Sequence, residues 1–304
     1  MTPELRAPTL DDLPELVTFF ERLRDRYGEH AMTEGQLRDN LTSKRWKPEE
    51  NYRVALVDGH IAGWSSLWSP EDQPERIFLN LRVAGRELPV YSPLLDWAEQ
   101  RAAEIASGEP ARVNAGAVHD DEVLLAELRR RGYEFARHFF EMKIDLSDEP
   151  ATPVWPDGFT VRTFTPDDAR AVFEADKEAF EDHWDSFTVS FEEWSHYFLR
   201  SSEFEPELWF LVEDGDQLAA YALCSNEGGE AEGVVNVLGV RRPWRRRGLG
   251  TALLLHAFHE FRRRGRDNVG LQVDAENLTG AVGLYERSGM HVARRFERFT
   301  KELT

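Results

Sequence analysis

Residues 234–254 read VVNVLGVRRPWRRRGLGTALL: an apolar run, five arginines within seven residues, two glycines, then a second apolar run. The first run, Gly233 to Val240, has the composition of a buried strand and leads straight into the arginines. Beyond Gly250, Leu253, Leu254, Ala257, Phe258 and Phe261 fall at helical spacing, which predicts an amphipathic helix from Leu249 to about Arg264. A buried strand that ends in a glycine-containing loop and opens a helix is an anion-binding device. The first amides of the helix have no intrahelical partner, and the helix dipole places partial positive charge behind them. Gly248 and Gly250 let backbone approach a ligand without an intervening Cβ, and Arg245, Arg246 and Arg247 add charge around it. Such a device needs a phosphate to hold and reads no base sequence.

Composition agrees. A formal charge of −19 repels polyanions and counts against a nucleic-acid partner. The 304 residues suit two domains of about 150 each, and nine Trp and nineteen Phe supply apolar surface for two cores. Cys224 is the single cysteine, so no internal disulfide forms. It lies in the apolar run LAAYALC and reads as a small core residue. No His, Cys or Asp spacing suggests a metal. The first residues, MTPELRAPTLDDLPEL, lack a basic start followed by an apolar core, and no run approaches eighteen apolar residues. A cytoplasmic protein without a membrane partner is expected.

The segment SDEPATPVWPDG, residues 147–158, carries three prolines and marks a linker. It divides the chain into residues 1–147, a linker at 148–157, and residues 158–304. The halves repeat. LRRRGYEFARHFF and YERSGMHVARRFE align at a shift of 157, matching Arg130 with Arg287, Gly132 with Gly289, Ala136 with Ala293 and Phe139 with Phe296. The same shift sets Asp11 on Asp168. In the second half, a strand at FTVRTFT, two helices, a hairpin around Gly215, the strand before the arginines, and then helix, strand, short helix and strand follow in order. An α/β (α+β) fold results, one mixed, mostly antiparallel sheet flanked by helices in each half.

The lysine-containing P-loop is absent, and the spacing Arg245-x-x-Gly248-x-Gly250 does not fit the dinucleotide fingerprint. Here the chain resembles the GCN5-related N-acetyltransferase (GNAT) family, whose signature Gln/Arg-x-x-Gly-x-Gly/Ala follows the fourth strand. Downstream, LQVDAENLTGAVGLYERSGM places Asn277 and Tyr285 where that family has a cofactor-contacting Asn and a Tyr general acid. The resemblance implies acetyl-CoA as cosubstrate. Its pyrophosphate would lie on Arg245, Arg246, Arg247, Gly248, Leu249, Gly250 and Thr251, and its pantetheine along Leu238, Gly239 and Val240 and against Asn277. The tandem layout is similar to the mycothiol synthase branch, although that branch has a carboxylate on the fourth strand where Val234 stands, and a cofactor-type loop in its first half too. Here NLRVAGRELPVYS offers only Gly85 and Pro89, while Leu128 and Asp120 replace Tyr285 and Asn277. The first half is expected to keep the fold and lack the cofactor.

An alkylamine of pKa about 10.4 is neutral in only about one molecule in a few thousand at pH 7, so acetyl transfer to it needs a base. Glu232, working through a water, is one candidate. His183, with Asp185 in the loop EDHWDSF, is another, and Trp184 and Trp194 either line an acceptor pocket or belong to the core. The expected function is acetyl transfer to a primary amine of a small molecule or peptide, with the site in the second half. Alternatives are acetylation of a cysteinyl amine, as in mycothiol synthesis, and a non-catalytic acyl-CoA-binding or regulatory module. Arg262 to Arg266 read as a helix C-terminus and solvated face.

Overall fold

A computed structural model describes residues 3–28, 31–85, 89–107, 109–187, 189–226, 231–277 and 280–303. The chain forms two compact units, residues 1–139 with 294–304, and residues 140–293. These differ from the linear halves at two places. Residues 140–157 belong to the second unit, and the last eleven residues belong to the first.

The first unit runs β1 (Glu4–Arg6), α1 (Leu13–Tyr27), α2 (Glu34–Thr42), α3 (Pro48–Asn51), β2 (Tyr52–Val57), β3 (His60–Trp68), β4 (Arg76–Val83), α4 (Tyr91–Ile105), β5 (Ala111–Val118) and α5 (Glu122–Arg130). Then β6 (Glu134–Asp145) leads into the second unit, with β7 (Phe159–Thr163), α6 (Ala169–Phe180), α7 (Phe191–Leu199), β8 (Trp209–Asp214), β9 (Gln217–Ser225), β10 (Glu232–Val240), α8 (Leu249–Arg263), β11 (Asn268–Asp274) and α9 (Ala281–Arg287). The last strand, β12 (His291–Leu303), has the bounds read from the sequence. Leu278 and Thr279, expected to open the last helix, lie outside the described residues.

Strand order is β1-β2-β3-β4-β5-β12 in the first unit and β7-β8-β9-β10-β11-β6 in the second. The orders match, except that each sixth strand comes from the end of the other half of the sequence. The pairs β4–β5 and β10–β11 are parallel. The pairs β1–β2, β2–β3, β3–β4, β5–β12, β7–β8, β8–β9 and β9–β10 are antiparallel. The repeat extends to side chains. Arg6 makes a bidentate pair with Asp12, which accepts from the Thr9 amide, and Arg162 does the same with Asp168 and Thr165. The counterpart of Asp168 is therefore Asp12 and not Asp11. The shift is 156 here and 157 near Gly132 and Gly289, because one residue is gained in between.

In the second unit, period-two alternation sorts each strand between two helix layers. Trp209 and Leu211 face α6 and α7, joining Val172, Phe173 and Trp194. Phe210 and Val212 face α8, joining Leu254, Phe258 and Phe261. Trp194 is thus core, packed on Phe173, Phe191 and Trp209. Cys224 is fully buried and its thiol is pushed far above its ordinary pKa by burial, so it is an inert core residue.

Candidate active site

Strand β10 carries a bulge. Val235 opposes Cys224 and Val237 opposes Leu223, so Asn236 is the extra residue. The alternation expected through Glu232, Val234 and Asn236 is broken there. On its other edge β10 pairs with β11 only from Glu232 to Val234, although β10 continues to Val240 and β11 to Asp274. Two parallel strands that part before their C-terminal ends leave a crevice, the usual place for a ligand in such sheets. The β11-facing edge of residues 235–240 carries no ladder.

The loop beyond β10 closes that crevice. Residues Arg242–Trp244 form one 3-10 turn. Arg246 and Gly248 then both take left-handed backbone, at φ 63° and 86°, before α8 begins. Alternating handedness of this kind turns successive amides inward. The first helical bond is donated by Ala252 to the Gly248 carbonyl. Among the described residues the six amides of residues 246–251 donate no hydrogen bond. The two glycines differ in role. Gly248 is exposed and left-handed, with nothing within 4 Å of a Cβ built there, whereas Gly250 is buried and a Cβ would press on Leu284 at 3.2 Å. Gly248 shapes the cradle and Gly250 lets α8 pack on α9.

Three of the five arginines work inside the fold. Arg241 donates to Glu178 at 2.7 Å, and Arg242 pairs with Asp182 at 2.8 Å and Glu181 at 2.9 Å. Arg245, expected to grip phosphate, donates to the Val240 carbonyl at 3.1 Å and the Ala179 carbonyl at 3.2 Å. Burial pushes the Glu178 carboxyl up, but Arg241 and the Arg242 amide outweigh it and hold the group below its ordinary range. These arginines tie the loop to the end of α6, whose last turn supplies Glu178 and the Ala179 carbonyl, with Glu181 and Asp182 directly after it. Arg246 and Arg247 are exposed and have no carboxylate partner among the described residues. Losing two charge-assisted bonds costs about 1.5 kcal/mol or more. Arg245→Ala should therefore lower the melting temperature by about 3–6 °C and Arg246→Ala by less than about 2 °C. Paired thermal melts check the contrast.

Tyr285, on α9 next to Leu284, is 9% exposed and its hydroxyl makes no hydrogen bond among the described residues. Burial pushes it up to about 12, so it stays protonated at neutral pH. Asn277 is half-buried in the turn after β11, its amide bonded to the Asp274 carbonyl, and the cap of α9 is Gly280. His183 is half-buried beside Phe180. Burial lowers its pKa, with Asp274 opposing, Arg245 adding to the fall, and Asp182 opposing. It therefore stands near the ends of β10 and β11. Glu232 stands at the opposite end of β10, ion-paired with Lys143 at 2.9 Å. The arrangement thus gathers the loop, Leu238 to Val240, Asn277, Tyr285 and His183, and leaves Glu232 apart.

Two residues absent from the sequence reading also belong here. Asp176 on α6 accepts from the hydroxyl of fully buried Tyr221 at 2.9 Å. Tyr221 lies opposite Gly239 in the β9–β10 ladder, and its ring fills the space a Gly239 side chain would need. The signal was available: Asp176 falls three and four residues after Phe173 and Val172, an acid on the buried stripe.

The corresponding place in the first unit is built differently. β4 pairs with β5 over five residues, Arg76 to Asn80, and β3–β4 has no bulge. Helix α4 opens at buried Val90 and Tyr91, whose hydroxyl donates to buried Asp121 at 3.1 Å. Residues 86–88 of the preceding loop lie outside the described residues. Among the described residues no group of His, Cys, Asp and Glu could hold a metal, and no helix is long and apolar enough to cross a membrane.

The profile of the acetyltransferase (GNAT) family matches residues 172–290, from α6 to the end of α9. A mycothiol acetyltransferase of Geodermatophilus obscurus is 37% identical over 200 residues, 62% of this chain and 63% of that protein. One of Salinispora arenicola is 31% identical over 283 residues, 87% of this chain and 83% of that protein. The chain thus spans under two thirds of the first relative and most of the second. Among solved structures, a GCN5-related N-acetyltransferase from Sphaerobacter thermophilus is 29% identical, with a TM-score of 0.81 over 99% of this chain and 95% of that one. A tandem GNAT protein from the clavulanic acid biosynthesis pathway shares the fold at 17% identity, with a TM-score of 0.76 over 99% of this chain and 98% of that one. The chain belongs to the GNAT acetyltransferase family. Its two units repeat one strand order, in a fold shared with the tandem GNAT protein.

Proposed function

We propose that the chain is an acetyl-CoA-dependent N-acetyltransferase with one active site, in the unit of residues 140–293, acting on a primary amine. The observation that carries this is the run of six free amides, residues 246–251, at the mouth of the parted strands β10 and β11. Several converging donors fit a pyrophosphate, each worth about 1.5–3 kcal/mol to a charged oxygen. Arg246 and Arg247 add positive charge beside them. The unladdered edge of Leu238 to Val240 fits a pantetheine amide chain, with Asn277 across the crevice. Acetyl-CoA supplies the activated acetyl group. Backbone amides along that edge would stabilise the developing oxyanion, and the Tyr285 hydroxyl would give its proton to the departing sulfur. The relatives named mycothiol acetyltransferase favour a small-molecule acceptor, with a cysteinyl amine as the narrower choice.

Titration calorimetry with acetyl-CoA should find one site per chain. Two sites would overturn the assignment to one unit, and none would overturn the enzyme. Thiol release with a panel of primary amines separates a transferase from a binding module. In the same assay Tyr285→Phe should lower kcat about 100-fold, with acetyl-CoA affinity within about threefold of wild type.

A further inference from the structure

After its bulge β10 offers no titratable side chain, since residues 233–240 read GVVNVLGV. Apart from His183, in the loop after α6, a base for the acceptor amine must come from an element packed on that strand. Glu178, Glu181 and Asp182 are paired with Arg241 and Arg242, and Glu232 is at the far end with Lys143. Asp176 is differently placed. It is held by no arginine or lysine, it retains partial exposure, and its Oδ1 is joined to the Tyr221 hydroxyl that lies against Gly239. A single phenol therefore fixes this carboxylate beside the strand segment assigned above to the thioester.

We propose that Asp176 is the general base of the transfer, positioned by Tyr221. This role rests on the transferase function proposed above. The carboxylate takes one proton from the acceptor ammonium, and the freed nitrogen lone pair forms the C–N bond at the thioester carbonyl. The C–S bond then breaks, and its electron pair leaves on sulfur, which takes the Tyr285 proton. The nitrogen's second proton, released as the amide forms, restores Tyr285, so the balance is an amide, a free thiol, a neutral Tyr285 and a protonated Asp176 that returns its proton to solvent.

The environment suits that task. Burial raises the Asp176 carboxyl to about 6, opposed by the hydrogen bond from Tyr221 on β9 and by the polar edge of the nearby Trp194 indole on α7. No formal charge among the described residues acts on it directly. Glu178 on its own helix and Arg245 from the arginine turn act on Tyr221 instead. At neutral pH the group is ionised yet more basic than an ordinary carboxylate.

The test uses the full chain and the best acceptor from the amine panel. Asp176→Asn should lower kcat/KM at pH 7.5 by about 100-fold or more, keep acetyl-CoA affinity within about threefold, and remove the acidic limb of the pH profile near 6. Tyr221→Phe should keep turnover at high pH and move that limb upward, a shift that a purely structural role would not produce. Without acetyl-CoA, wild type should lose melting temperature relative to Asp176→Asn as pH rises from about 4 to 7. The raised folded pKa makes the protonated form the stabilising one, and that stability is lost on ionisation. An Asp176→Asn variant within about threefold of wild-type kcat/KM, or one that keeps the acidic limb, would overturn the assignment while acetyl-CoA binding and wild-type turnover stand. Absence of binding or of amine-dependent thiol release in wild type would instead overturn the transferase function and this base with it.

Discussion

Gly248→Asp is expected to raise the acetyl-CoA dissociation constant about 100-fold or more while the melting temperature moves by only a few degrees. The position separates binding from folding. Gly248 is exposed and a Cβ there meets nothing within 4 Å, so no packing is disturbed. Its φ of 86° is left-handed, which costs a side chain about 1–2 kcal/mol, and aspartate tolerates that region better than most residues. The new carboxylate would stand among the six amides of residues 246–251. Like charges about 4 Å apart repel by about 4 kcal/mol at an effective dielectric constant of 20, so the variant should bind little. Calorimetry and thermal melts on the same sample decide it. An affinity within about threefold of wild type would remove the loop from cofactor binding.

Gly239→Ala should act on the fold itself. The added methyl would overlap the ring carbons and hydroxyl of Tyr221, which is fully buried and bonded to Asp176. The ring has no free volume to enter, because Phe173, Trp194, Trp209 and Leu223 share its cluster. Overpacking of this kind costs about 3 kcal/mol, and for a unit of this size the melting temperature should fall by about 6–12 °C. The same change made in a Tyr221→Ala background should cost less than about 1 kcal/mol, since the obstructing ring is gone. Denaturant unfolding of the four proteins in that cycle measures the coupling. Additive losses would show that the glycine is needed for another reason.

Sequence made the strand, loop and helix around Gly248 legible because their signals are local: an apolar run, two glycines and a helical period within twenty-one residues. The duplication and the bounds of β12 were legible for the same reason. The arginines were not. Nothing near Arg245 in sequence shows that Ala179 and Val240 offer it carbonyls, or that Glu178 in α6 and Glu181 and Asp182 just after it neutralise its neighbours, some sixty residues earlier. The bulge at Asn236 was left open by strand alternation, and it decides where β10 and β11 part. Asp176 was missed because its meaning depends on Tyr221, which joins it only when the sheet is assembled. Trp194 resolved in favour of the core, where aromatic neighbours surround it.

The exchange of sixth strands has a consequence for the order in which the protein is made. The second unit needs β6, which precedes it, and is complete once Ala293 has been added. The first unit needs residues 296–303 alongside β5, and His119 reaches its partner Glu297 across 178 residues. At about 5–20 residues per second a ribosome takes roughly 10–35 s to cover that interval. Throughout it β5 presents an unpaired edge, the kind of surface on which chains join one another wrongly. The half that is translated first is therefore the half that closes last, and a nascent chain stopped at Ala293 would carry a finished second unit and an open-edged first one.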